Sequence, residues 1–211
     1  MPKITMPASL PAVGAALIVL AAVGARADET VPAPAPAAAK QTATLTFYVA
    51  GVECPACVYA VNDAIRRLDG VAEVEEGQAN EHFSNVTFDT RTITAHQVAQ
   101  AVREAYSLHG SPYLARLRIR VTDYAKDGNA ARVARLFEKW KEVVRIESAD
   151  AAKGELVIQF LPLEPGAETT AEPAATRSGP RGWRHEELLS SLTRAAPEGL
   201  GLRVEFVAET Y

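Results

Sequence analysis

Leu45, Phe47 and Val49 alternate with Thr44, Thr46 and Tyr48, and the apolar spacing then changes to threes and fours through Cys57, Ala60, Val61, Ala64, Ile65 and Leu68. A period of two that gives way to a period of 3.6 predicts a half-buried strand running into an amphipathic helix. Asp69-Gly70 stops that helix. Val71–Glu76 and Phe83–Asp89 read as two strands across a polar hairpin, with Val86 and Phe88 pointing inward. Thr94 can cap a second helix whose apolar face is Val98, Ala101, Val102 and Ala105. The order is β-α-β-β-α.

The second half repeats the pattern. Leu117, Ile119 and Val121 alternate with Arg116, Arg118 and Arg120, a strand with a basic outer face. Asn129 is the expected cap of a helix using Val133, Leu136, Phe137 and Trp140, with Phe137 and Trp140 read as core. Val144 and Ile146 begin a strand, and Leu156, Ile158 and Phe160 form its return. Residues 161–183, rich in Pro, Gly, Thr and Ala, are expected to be a mobile excursion. A helix over Arg184–Ala195 turns Leu188, Leu189 and Leu192 inward, and Leu202, Val204 and Phe206 make a last strand. The fold class predicted is α+β: two tandem ferredoxin-like βαββαβ units, at 42–112 and 113–211, each an antiparallel sheet with two helices on one face. Ser107–Val121 must supply both the fourth strand of the first unit and the first strand of the second.

Ahead of these units, residues 1–27 carry Lys3, an apolar run from Ala12 to Ala25 and the small-x-small end Ala25-Arg26-Ala27, the pattern of a cleaved signal peptide. The other reading is an N-terminal membrane anchor, which Pro7 and Pro11 disfavour. The expected location is therefore secreted or periplasmic. Losing Lys3 and Arg26 would take the net charge from -4 to -6 and remove both methionines. Residues 28–41 form a Pro/Ala-rich linker. The acidic balance and the lack of a dense basic block argue against nucleic-acid binding.

Only Gly51-Val52-Glu53-Cys54-Pro55-Ala56-Cys57 is chemically pointed. It joins a strand to a helix. Cys57 falls in the first turn, where free N–H groups and the macrodipole favour a thiolate, and Cys54 lies just outside it. Thiolates select soft ions such as Cu(I) over Mg or Ca. Two sulfurs cannot close a tetrahedral zinc site, but they suit an ion content with two ligands. Two other readings stand beside this one: an inert disulfide, and a thiol-disulfide oxidoreductase using the same pair.

Together with Val58-Tyr59-Ala60-Val61, Ala64-Ile65, Gly70-Val71, Val86-Thr87-Phe88-Asp89, Thr94, Val98, Ala101-Val102 and Ala105-Tyr106, this motif resembles the heavy-metal-associated domain, over roughly Thr44–Tyr106. The family includes small copper chaperones and periplasmic mercury-binding proteins. The resemblance implies a ferredoxin-like fold and a soft ion held by Cys54 and Cys57. Cu(I) comes first, with Hg(II) and Zn(II) behind it. Val52 stands where the family has Met and should substitute for its packing; Glu53 stands where a small or uncharged residue is usual. The second unit resembles the family in architecture alone. Its counterpart loop, Asp123–Gly128, has no Cys or His, so it is expected to fold without metal.

The function expected is a non-enzymatic, exported metal carrier that works by ligand exchange. Its partner would be a metal-transporting membrane protein or another metallochaperone, with no small-molecule substrate. His109 follows the second helix and could approach the metal loop, but it reads first as a surface histidine. His82, His96 and His185 are expected to be isolated and solvated. Arg116, Arg118 and Arg120 are expected to pair with carboxylates of their own unit, Glu205 and Glu209.

Overall fold

The computed structural model describes residues 41–78, 81–163, 174–176 and 178–210. The expected signal peptide, and the linker save Gln41, lie outside them. The strands are β1 (Thr42–Ala50), β2 (Val71–Gln78), β3 (His82–Asp89), β4 (Leu114–Val121), β5 (Val144–Asp150), β6 (Glu155–Phe160) and β7 (Val204–Phe206). The helices are α1 (Pro55–Arg66), α2 (Ala95–Glu104), α3 (Asn129–Phe137) and α4 (His185–Thr193). A 3₁₀ turn at Glu138–Trp140 extends α3.

All seven strands join one antiparallel sheet, in the order β2-β3-β1-β4-β6-β5, with β7 also paired to β4. The sequence predicts two sheets, one per unit; the chain makes one. The reason lies in β4. Its first residues pair with β1, Ala50 opposite Leu114 and Tyr48 opposite Arg116. Its last three pair on the same edge with β7, Ile119 opposite Phe206 and Val121 opposite Val204. Its other edge pairs with β6 from Arg116 to Arg120. The single alternating run thus serves both halves.

Leu45, Phe47, Val49, Val86, Phe88, Leu117, Ile119, Ile158 and Phe160 share one sheet face and form a single buried cluster with Val61 and Ile65 of α1, Val98 and Val102 of α2, Val133 and Leu136 of α3, and Leu188 and Leu192 of α4. Phe137 and Trp140 are buried, as the periodicity requires. Phe47 meets Phe160 at 6.3 Å between ring centres, so the core is continuous between the halves.

Thr94 caps α2 reciprocally: its hydroxyl accepts the Gln97 N–H at 3.2 Å, and its own N–H donates to the Gln97 side chain at 3.1 Å. Asn129, by contrast, does not cap α3. Gly128 holds that position in a left-handed conformation, and Asn129 is the buried first helical residue, donating to the Asp123 carbonyl at 3.0 Å.

The polar side of α2 meets the described flanks of the 161–183 excursion. His96 Nε2 lies 2.8 Å from the Leu161 carbonyl, and its Nδ1 accepts the Trp183 N–H at 3.2 Å. Gln100 accepts the Leu163 N–H at 2.9 Å, Gln97 the Arg181 N–H at 2.9 Å and Glu104 the Ala175 N–H at 3.2 Å. Residues 164–173 and 177 lie outside the described set.

On the opposite sheet face, Arg120 bridges Glu155 at 2.7 Å and Glu205 at 2.8 Å. Arg116 pairs with Glu147, Arg118 with Glu81, and the Arg118 guanidinium lies 3.8 Å from the Tyr48 ring centre. Glu209, expected against the arginines, accepts instead from the Tyr48 hydroxyl at 2.9 Å. Burial and that carboxylate push the Tyr48 phenol well above its ordinary pKa.

Candidate metal centre

The β1–α1 junction is built from its sequence in order. Gly51 turns the chain at φ 89°, a conformation open to glycine. Val52 packs, partly buried, against the core. Cys54 is the N-cap of α1 and Pro55 its first residue, where a missing N–H costs nothing. The Cys57 N–H donates to the Cys54 sulfur at 3.2 Å and to the Cys54 carbonyl at 3.0 Å.

The two cysteines are joined as a disulfide, with their Cα atoms 5.2 Å apart. They are not equivalent. Cys57 is fully buried against the core, whereas Cys54 is half-buried and faces a cleft of about 340 Å³ lined also by Glu53, Val58, Glu76, Gln78 and His82. An incoming group meets Cys54 first.

His109 is exposed, as a surface histidine should be, and it also approaches the two cysteines. One of its ring nitrogens and the two sulfurs all lie within 4.8 Å of one another. The strand register explains this: Ala50 opposite Leu114 brings the 51–54 loop and the 107–113 loop to the same end of the sheet. Tyr113, 1% exposed, ties them. Its ring lies under Gly51, and its hydroxyl sits 3.5 Å from the Leu108 N–H. The signal available in the sequence was the position of His109 just past α2; what it lacked was the register.

The other three histidines are buried, not solvated as expected. His96 sits between α2 and the excursion, and burial pushes its pKa down. His185 lies edge-on to Phe88 and Phe206, its pKa likewise lowered by burial, with Glu186 pulling the other way. His82 lines the cleft beside Cys54, its pKa lowered by burial against the pull of Glu76. Below it, Ser84 donates to the buried Asn62 at 2.8 Å, and Asn62 donates to Glu76. Sequence pattern alone does not reveal this polar network, because its members sit singly on α1, β2 and β3.

A second concavity, about 530 Å³, lies between α1 and α2 and is lined by Tyr59, Tyr106, Leu108 and several alanines. Among the described residues these are the large apolar side chains left exposed.

No family model matches the chain, and no curated protein matches it. Among solved structures, one match is the solution structure of the N-terminal soluble domains of CopA from Bacillus subtilis. It is 16% identical, covers 80% of this chain and 96% of that one, and superposes with a TM-score of 0.28. At that score the likeness says nothing of what this chain binds. No helix among the described residues is long and apolar enough to cross a membrane.

Proposed function

We propose that this chain is an exported, non-enzymatic carrier of a soft metal ion, held by Cys54 and Cys57 in their reduced state and passed on by ligand exchange. The observation that carries the reading is the convergence of soft donors at a strand–helix junction, with one half-buried cysteine facing a cleft and its partner anchored in the core. Supporting it are the resemblance of 44–106 to the heavy-metal-associated domain and the Cys57 N–H, in the first turn of α1, which donates to the Cys54 sulfur. Cu(I) is the cargo that thiolates favour, with Hg(II) and Zn(II) behind it.

The disulfide must first take two electrons and two protons from a thiol reductant, giving two thiols. Binding the ion then releases their protons. An acceptor thiolate enters beside Cys54, the less buried of the two cysteines, a mixed complex forms, and the ion leaves without being free. The acceptor is a thiol-bearing site on a metal-transporting membrane protein or on another metallochaperone.

The disulfide also favours a second reading, thiol–disulfide exchange with Cys54 as the attacked sulfur. Titration separates the two. Reduced protein should take up one equivalent of Cu(I) from a chromophoric chelator, and the double variant Cys54→Ser/Cys57→Ser should lose that uptake. Unchanged uptake in the double variant, or rapid disulfide exchange with a model substrate and no uptake, would overturn the carrier reading.

A further inference from the structure

We propose that His109 is the third ligand of this centre, so that Cu(I) is held by two thiolates and one imidazole. This rests on the soft-metal reading above and says how the site holds and releases its ion.

The geometry comes first. With metal–sulfur and metal–nitrogen bonds of about 2.3 and 2.0 Å, a planar three-coordinate ion needs donors roughly 3.7–4.0 Å apart. The three donor atoms already lie within 4.8 Å of one another. Reduction frees the two sulfurs to move apart toward that triangle. The approach of His109 is set by the fold: the β1–β4 register and the Tyr113 ring under Gly51 hold its loop against the metal loop.

The state of the ring points the same way. Of the four histidines, His96 has both nitrogens engaged, and His82 and His185 are buried. His109 alone is exposed, and among the described residues no hydrogen bond or ion pair engages its ring. An imidazole whose nitrogens carry no other bond among the described residues therefore stands beside the two sulfurs. Imidazole suits copper as well as zinc, so the mixed donor set is chemically consistent.

The mechanism of release follows. The weakest-held ligand is the neutral one at the surface. An acceptor thiolate forms its bond to copper as the copper–imidazole bond breaks. The imidazole leaves uncharged, the complex gains the incoming negative charge, and copper stays Cu(I). Both cysteines remain bound through this step, so the entry point lies on the His109 side of Cys54.

The test uses the full chain, reduced and loaded with Cu(I). X-ray absorption at the copper edge should show two sulfur scatterers and one nitrogen. His109→Ala should still take up copper, but with affinity lowered roughly tenfold or more, since loss of even an outer partner of a metal ligand costs 10–100-fold. It should also lose the nitrogen scatterer. Unchanged affinity and an unchanged two-sulfur spectrum in His109→Ala would overturn the third ligand while leaving the cysteine pair standing. Undiminished binding by Cys54→Ser/Cys57→Ser would remove both readings together.

Discussion

Cys54 and Cys57 stand three residues apart, yet the fold gives them different work. Cys57 is fully buried and Cys54 only half-buried, so in the reduced protein iodoacetamide should label Cys54 first; peptide mapping of the singly alkylated species checks this. The histidines carry a second residue-scale prediction. His82, His96 and His185 are all held below their ordinary pKa by burial, so the folded chain binds fewer protons than the unfolded one as the pH falls. Stability present above about pH 6.5 is then lost progressively below it, as the unfolded histidines protonate first. Urea midpoints measured from pH 7.5 to 5 should decline, and His82→Asn should flatten the slope. The cysteine motif was legible in the sequence because its chemistry is local. Two of the buried histidines were not, because they are covered by segments distant in the chain: Leu161 and Trp183 cover His96, and Phe206 faces His185.

At the scale of elements, periodicity placed the strands and helices well, since each period reports its own buried face. It failed where a backbone conformation decided the outcome. The left-handed Gly128 displaced Asn129 from the cap of α3, a choice no apolar spacing reveals. The polar face of α2 is a second case. Read alone, His96, Gln97, Gln100 and Glu104 suit a solvated side; in the fold they satisfy the backbone of the excursion. Gly182 sits at the tightest point of that contact. A Cβ there would come 2.6 Å from His96 Nδ1 and 2.4 Å from a Leu163 methyl, at a φ of 72°. Gly182→Ala should destabilise the protein by about 1–3 kcal/mol through overpacking. Chemical denaturation measures it, and a neutral result would mean the flank is held elsewhere. β2 and β5, at the two ends of the strand order, each carry a bulge and at least two exposed carboxylates. Both features discourage edge-to-edge pairing with other chains.

At the scale of the molecule, one core and one sheet predict one unfolding event. Trp140 and Trp183 report the second half, and alkylation of Cys57 in the reduced protein reports the first. Their urea transitions should coincide; separated midpoints would show that the halves melt independently. The element order of both halves could be read from the sequence, but their fusion could not, because a period of two does not say how many neighbours a strand has. That fusion has a consequence for which length changes the chain can accept. A loop such as 107–113 or 151–154 can gain a residue and leave both flanking strands in place. One residue added within β4 would turn Leu117 and Ile119 outward and the arginines inward, and would shift the pairing with β1, β6 and β7 at once. Over evolutionary time, β4 should therefore be the stretch of this chain where insertions and deletions are rarest, although it carries none of the proposed ligands.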